Sequence, residues 1–275
     1  MKSAVLIVNW NSGQRLKHCL ESLPTTPATL VVDNASSDDS VKLAQECSVP
    51  ATYIQNRHNR GLAAAINQGF AEIKTPTPYV LLLNPDVRLT SRAAEVLEEI
   101  LDKDSAVGVA GGYVNDDYLP RPIPTPSSLI RENCGFPIPA TNALGTEEVG
   151  QIAAAAMLVR REAFDDVKGF DDQFFPAWYE DVDFCTRLHA ASWKVCFARD
   201  AQFVHEGGYS ARLLGASDFL TAYYRNQIRY VNKYFGASAG LVRLSIAAGM
   251  AAKWIRARSR MTGCSRMITG ALWEW

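Results

Sequence analysis

The sequence holds only four histidines in 275 residues, none of them in H-x-x-x-H spacing, so a zinc centre on that pattern is not supported. Its six cysteines (Cys19, Cys47, Cys134, Cys185, Cys196 and Cys264) form no C-x-x-C pair. A soluble chain of this length needs no disulfide staples, and free thiols are expected. After the first apolar run the chain reads NWNSGQ, neither G-x-G-x-x-G nor G-x-x-x-x-G-K-S, which disfavours a dinucleotide fold and a P-loop. The N-terminal run in MKSAVLIVNWNSG is cut short by Asn9, too early for a secretory core, so a cytoplasmic place is expected. No repeat of solenoid length is present.

What is present is ample apolar content, 48%, enough for one large α/β domain or a domain with an appendage. The net charge of -1 hides an asymmetry: residues 207–275 carry ten Lys or Arg against two acids, Asp218 and Glu274. SAVLIVNW reads as a strand, and GQRLKHCLESL has helical spacing in Leu16, Cys19, Leu20 and Leu23. The scheme repeats in ATLVVDN with SSDDSVKLAQEC, where Ser36 or Ser37 is the N-cap candidate, then in ATYIQN with GLAAAINQGFAEI, and in YVLLLNPDVRL with SRAAEVLEEIL. Such alternation predicts a largely parallel sheet covered on both faces. LPRPIPTPSSLIRENCGFPIPATNALG, rich in proline, is expected to be an irregular loop, and WKVCFA and AQFVHEGG two short strands flanking a polar turn.

Ligands of a parallel sheet sit beyond the carboxyl ends of its strands. Here those ends are Asn9 to Asn11, Asp33 with Asn34, Asn56 to Asn59, and Asn84 to Asp86. Each piece alone has an ordinary reading: VVDNASSDDS as an Asx turn and cap, NRHNRGLAAAINQG as a capped helix with Gly61 in a conformation other residues resist, NPD as a proline turn. Glu180, Asp181 and Asp183 open a helix whose dipole already favours acids there.

Together and in order, VNWNSG, VVDNASSDDS, NRHNRGLAAAINQG, LLLNPDV, GFDDQFFPAWYEDVDFCTRL and VHEGGYS resemble the family 2 glycosyltransferases, especially the rhamnosyltransferase-like branch, over roughly residues 3–210. The resemblance implies an α/β fold of GT-A type, a mixed, mainly parallel sheet flanked by helices. It implies a nucleoside-diphosphate sugar donor bound by Asn9, Asn11, Asp33, Asn34, Asn59, Gly61, Asn67, Asn84 and Asp86. A hard cation, Mg²⁺ or Mn²⁺, would bridge the donor phosphates, with Asp86 as ligand and His205 completing the site. The family's first acid at this signature stands here as Asn84, one charge short. Asp181 matches the general base and Glu180 its positioning partner, with Asp183 as the alternative, for direct displacement with inversion. Phe170, Phe174, Phe175, Trp178 and Tyr179, just before these acids, are expected to be mostly core, with one or two free to face a sugar ring.

Residues 1–210 are thus expected to be the transferase domain and 211–275 a basic helical extension. DFLTAYYRNQIRYVNKYF is an amphipathic helix with Phe219, Tyr223, Tyr230 and Tyr234 as buried candidates and Arg225, Arg229 and Lys233 on one face. GLVRLSIAAGMAAKWIRARSRM places Leu241, Leu244, Ala248, Ala251 and Ile255 on one side and Lys253, Arg256 and Arg260 on another. Arg243 breaks its apolar run, which argues against a bilayer span; a helix lying on an anionic membrane surface and a helix packed on the domain are both open. Nothing in the chain resembles a nucleic-acid module. The expected acceptor is a glycolipid or polysaccharide in cell-envelope glycan synthesis, with rhamnose from dTDP-rhamnose as the donor sugar by analogy. The rivals are a sugar nucleotidyltransferase, which would want a glycine-rich basic loop after the first strand, and a silent nucleotide-sugar binding module.

Overall fold

The computed structural model describes residues 1–141, 143, 145–205 and 213–263, with side chains through Ile255. By internal contacts the chain divides into two compact units, one of residues 1–123 and 139–230, the other of 124–138 and 231–275. The division falls inside a helix, and a segment from the middle of the chain joins the C-terminal unit.

The larger unit is built on a sheet whose strands follow the sequence pattern. These are β1 (Ala4–Asn9), β2 (Thr29–Asp33), β3 (Thr52–Gln55), β4 (Tyr79–Leu83), β5 (Val87–Leu89), β6 (Val107–Tyr113), β7 (Thr146–Glu148), β8 (Ala156–Arg160) and β9 (Lys194–His205). Their order is β3-β2-β1-β4-β8-β6-β9-β5, with β7 also on β9. β1 to β4 are mutually parallel, β8 runs against β4 and β6, and β6 pairs parallel with β9. The sheet is mixed and mainly parallel, as the alternation of strands and helices predicts.

β4 lies between β1 and β8 and is buried along its whole length. Period-two geometry sends Val80 and Leu82 to one face and Leu81 and Leu83 to the other. The first pair joins Leu6, Val32, Met157 and Val159 under α3 (Leu62–Glu72), α6 (Arg161–Asp166) and α7 (Glu180–Ala190). The second joins Val5, Ile7 and Val31 under α1 (Arg15–Glu21) and α4 (Ala93–Lys103). Two apolar layers on one sheet make the three-layer core.

Several elements depart from expectation. α2 (Ser40–Gln45) is preceded by Asp39, whose side chain makes no cap bond; Ser36 and Ser37 bond instead to residues of the β1 and β2 ends. The two short strands expected around residues 199–201 are one twelve-residue strand, β9. Its partners step from Ala198 opposite Gly112 to Gln202 opposite Tyr113, so the polar turn is absorbed as a bulge. The proline-rich stretch contains α5 (Pro126–Asn133), whose Thr125 and Ser128 form a reciprocal cap and whose Pro126 occupies a first-turn position where no N–H is needed.

α8 (Ala216–Phe235) contributes residues 216–230 to the larger unit. Tyr230 is fully buried there, while Phe219 and Tyr223 are half-buried. In the smaller unit α5 packs on α9 (Ala239–Gly263), where Asn133 donates to Ser245 at 3.0 Å and Gly249 lies so close to the Asn133 carbonyl that a β-carbon would collide with it. Val242, Ser245 and Gly249 are the buried face of α9. Leu241, Leu244 and Ile255, the apolar side read from the sequence, are 62%, 68% and 60% exposed. By length and composition residues 216–255 include a stretch long and apolar enough to cross a membrane, Arg243 notwithstanding. The side chains of Arg256 and Arg260 lie outside the described residues. Five cysteines are free thiols, as expected, and Cys264 lies outside the described residues.

A β-carbon at Gly112 would meet the carbonyl of Ala201 within the β9 bulge and the ring of Phe203. Gly112→Ala is expected to destabilise the protein by about 1–3 kcal/mol, because a backbone atom cannot rotate aside as a side chain does. A thermal-unfolding midpoint equal to that of the parent would count against the bulge.

Candidate active site

Four strand ends meet at one edge of the sheet. Asn9 and Asp33 are register partners, and Asn9 Nδ2 donates to Asp33 Oδ1 at 2.8 Å and to Ser40 at 2.9 Å. Asp33 also accepts the Ser36 hydroxyl at 2.6 Å and the Ser36 N–H at 3.1 Å. The Asn11 side chain accepts the Ser37 N–H at 2.7 Å with Asn11 itself at φ 48°, a left-handed position that asparagine tolerates. These bonds lace the β1 and β2 loops together. Asn9, fully buried, lies beneath Asp33 and orients it.

Asn34 organises the next loop. Its amide donates to Asn59 at 3.0 Å and to the Gly61 carbonyl at 3.1 Å, and its oxygen accepts the Arg60 N–H at 3.0 Å. Asn59 in turn accepts the Gly61 N–H at 2.8 Å. Gly61 has φ 83°, and a β-carbon there would lie 2.9 Å from the Phe175 ring and 3.2 Å from the Pro176 carbonyl. Both demands select glycine. Asn67, expected at the donor, is half-buried and exchanges two hydrogen bonds with the Phe170 backbone at 2.7 and 2.8 Å. Its amide is committed to holding the α6–α7 connection.

The apolar run of β4 ends at Asn84, whose side chain makes no hydrogen bond among the described residues. The chain then turns through Pro85 and Asp86 into β5, which pairs antiparallel with the end of β9 so that Val87 faces His205. That register places Asp86 Oδ2 3.2 Å from His205 Nε2, both nearly buried. On its other side His205 meets Asn115 Nδ2 at 3.3 Å, and the Tyr118 ring stands edge-on at 4.8 Å. Residues 206–210, which complete VHEGGYS, lie outside the described residues. Among the described residues no group of three or more His, Cys, Asp and Glu could hold a metal by itself. An oxygen and a nitrogen ligand side by side suit a hard cation that takes its remaining oxygens from a diphosphate and water.

The acids of α7 have three different environments. Asp183 is fully buried and paired with Arg187 at 2.8 Å, whose guanidinium also donates to the carbonyls of Val167 and Gly169. That network makes Asp183 structural. Asp181 is half-buried and accepts the Val182 N–H at 2.8 Å, yet burial raises its pKa. Glu180 is buried with Oε2 unpartnered, and burial first, then the Asp181 charge, pushes its pKa well up. Backbone amides, those of Val182 and Ala154 among them, oppose the rise at Asp181, whereas the Asp181 charge adds to the rise at Glu180. The helix starts from Trp178 and Tyr179, consecutive residues at φ 72°. Left-handed geometry at a non-glycine residue costs about 1–2 kcal/mol, so packing around this loop must outweigh it.

Of the aromatic residues before these acids, Phe170, Phe174 and Tyr179 are core, whereas Phe175 is 43% exposed and Trp178 half-buried. Tyr118 carries no sequence signal, since DDY in a loop is unremarkable. Its hydroxyl is pushed up to about 12 by burial, then by the charges of Asp86, Asp181 and Asp117. One residue thus lies within electrostatic reach of both the acid beside His205 and the acid of α7.

A mixed sheet of this order, with acids at its carboxyl edge, agrees with the GT-A fold that the resemblance implies. The Glycosyl transferase family 2 model matches residues 4–168, and the chain belongs to that family. It is 26% identical over 236 residues to the N-acetylglucosaminyl-diphospho-decaprenol L-rhamnosyltransferase of Mycobacterium tuberculosis, covering 75% of this chain and 76% of that protein. Among solved structures it resembles the mannosyltransferase PcManGT of Pyrobaculum calidifontis in complex with GDP-Man and Mn²⁺, with a TM-score of 0.58 and 15% identity over 95% of this chain and 79% of that one. It also resembles GalNAc-T7 with UDP, GalNAc and Mn²⁺, with a TM-score of 0.61 and 16% identity over 82% of this chain, which spans about half (47%) of that chain's length. The expected family and fold are therefore correct, and the nucleotidyltransferase rival falls.

The raised Glu180 pKa has a stability consequence. A carboxyl that favours its neutral form in the fold contributes stability that is complete below its ordinary value of 4.5 and lost as pH rises through the folded value. Glu180→Gln is therefore expected to match the parent in Tm near pH 4 and to exceed it increasingly towards pH 8. Parallel Tm profiles for the two proteins across this range would show that Glu180 is not held neutral.

Proposed function

We propose that this chain moves a sugar from a nucleoside diphosphate to a hydroxyl of a lipid-linked or polysaccharide acceptor, with inversion at the anomeric carbon. The observation that carries this reading is the meeting of Asp86 and His205 at the carboxyl edge of the sheet, with the Tyr118 ring edge-on to His205. Asp33, the Asn11 loop and the Asn59–Gly61 turn line the side where the nucleoside would rest. Asp86 and His205 would hold Mg²⁺ or Mn²⁺, and Asn84 would offer its neutral amide to sugar or ribose. The cation, when bound, supplies positive charge against the charge gained by the leaving diphosphate.

Asp181, ionised while Glu180 remains protonated, accepts the proton of the acceptor hydroxyl. The hydroxyl oxygen attacks the anomeric carbon from the face opposite the diphosphate, and the bond from that carbon to the phosphate oxygen breaks. The mycobacterial relative's name supports a rhamnosyl donor, for which dTDP-rhamnose is the first choice, and a polyprenyl-diphosphate-linked acceptor.

General-base help is worth about 10²–10⁴ in rate, so Asp181→Asn is expected to lower kcat on that order while leaving donor binding nearly intact. More than a tenth of parental turnover in Asp181→Asn would remove Asp181 from the role. Nucleotide-sugar binding without any turnover stimulated by Mg²⁺ or Mn²⁺ would favour a silent binding module, a reading the neutral Asn84 supports.

A lipid-linked acceptor also accounts for the smaller unit. Leu241, Leu244, Trp254 and Ile255 of α9 are exposed, and Phe136 beside α5 is 62% exposed, in a C-terminal region rich in Lys and Arg. An apolar stripe with basic neighbours suits the surface of an anionic bilayer on the cytoplasmic side. The parent is expected to float with phosphatidylglycerol-containing liposomes, and the Leu241→Glu, Leu244→Glu double variant to remain at the bottom of the gradient. Equal flotation of the two proteins would dismiss this face as the contact.

A further inference from the structure

The basic stripe Arg225, Arg229, Lys233 reads from sequence as a solvated helix face. The structure gives its first two members partners of another kind. Arg225 donates to the Phe175 carbonyl and Arg229 to the Gln173 carbonyl. Between them in the helix, Asn226 is fully buried and aims its amide at three carbonyls of one loop, those of Phe175, Ala177 and Trp178, at 3.3, 2.9 and 3.1 Å. Gln227, also fully buried, donates to the Tyr179 hydroxyl at 2.9 Å. Phe219 stands edge-on to Trp178 at 4.8 Å, and Tyr223 to Tyr179 at 5.4 Å.

An asparagine amide has two hydrogens, and here both are used within one five-residue span. The span they hold includes Trp178 and Tyr179, the two consecutive left-handed residues that set the direction from which α7 begins. Glu180 and Asp181 follow immediately. The other side of the same loop touches the donor turn: the Pro176 carbonyl accepts the Leu62 N–H at 2.7 Å, and Phe175 is the side chain that a β-carbon at Gly61 would strike. One short loop therefore joins the glycine turn of the donor side to the acid pair of the acceptor side, and α8 grips it along its length.

We propose that Asn226, assisted by Arg225, is a positioning residue for glycosyl transfer: it holds the 175–179 loop in the strained form that sets Asp181 at a fixed distance from the donor turn. This rests on the reading of Asp181 as the base. Asn226 touches no reacting atom; it acts through the backbone of Trp178 and Tyr179. Conformations held against their own preference by surrounding contacts are where a fold stores geometry for function. A displacement of about 1 Å in a reacting group can cost on the order of 10² in rate. The first half of α8 is then part of the transferase machinery.

The test uses the full chain with dTDP-rhamnose as donor for turnover and dTDP with Mn²⁺ for binding. Asn226→Ser is expected to lower kcat about 10²-fold while the dTDP Kd stays within about twofold, since the donor-side amides are untouched. Arg225→Ala, at an exposed position that the fold tolerates, is expected to lower kcat by about tenfold with the same unchanged Kd and an unchanged Tm. Because clamp and base act as one unit, Asn226→Ser added to Asp181→Asn is expected to cost little more than Asp181→Asn alone. Unaltered kcat in Arg225→Ala, losses of kcat and dTDP affinity in equal proportion, or losses that multiply with Asp181→Asn would each overturn the proposal. Full turnover in Asp181→Asn alone would instead defeat the base assignment, and the split between kcat and Kd in the Asn226 and Arg225 variants would still decide the clamp.

Discussion

Burial of β4 on both faces is the constraint from which the rest follows. A strand with apolar side chains in two core layers and neighbours on both edges can change chemistry only where it leaves the sheet. The backbone of Asn84 is still tied to Ala155 at 2.9 Å, so the first free turn is Pro85 and Asp86. Everything that must meet a polar ligand is thereby delivered to one edge, together with the ends of β1, β2 and β3.

At that edge the protein faces a second demand: polar groups half removed from water must be satisfied before they can be useful. Asn9, Asn34 and Asn56 serve this need with amides that donate and accept at once, and Asn59 with an oxygen that accepts from Asn34 and from the Gly61 N–H. Asparagine is suited to the task because it satisfies donors and acceptors without adding charge. The acids are rationed accordingly. Asp33 accepts hydroxyl and amide donors, Asp86 has a histidine, Asp183 has an arginine, and burial pushes Glu180 towards its neutral form. Asp181 is half-buried, and burial raises its affinity for protons.

The loop 173–179 couples these two economies of structure. It leans on the donor turn through Pro176 and Phe175, and it launches the acid helix through Trp178 and Tyr179. Residues of α8 bond or stack against this loop from the Gln173 carbonyl to the Tyr179 ring. A helix that composition marks as a basic appendage is in its first half a structural part of the site, and only beyond residue 230 does the chain enter the unit whose apolar face is exposed.

Sequence by itself determined the local order: which runs are strands, which face water at their ends, that Gly61 must take a conformation closed to other residues, and that the ordered motifs belong to one family. These follow from periodicities and backbone preferences that act over a few residues. It did not show that the amides of Asn9 and Asn67 turn to Asp33 and to Phe170 respectively, and it divided β9 in two because a polar bulge reads like a turn. It hid α5 among prolines, since a proline in the first turn of a helix costs nothing that the sequence pattern reveals. Only the tertiary structure decided that Asp86 meets His205, that the Tyr118 ring stands edge-on to His205, and that Asn226 grips the loop before Asp181. Each of these joins segments far apart in the chain, and their geometry is set by strand register and helix packing rather than by any preference that neighbouring residues express.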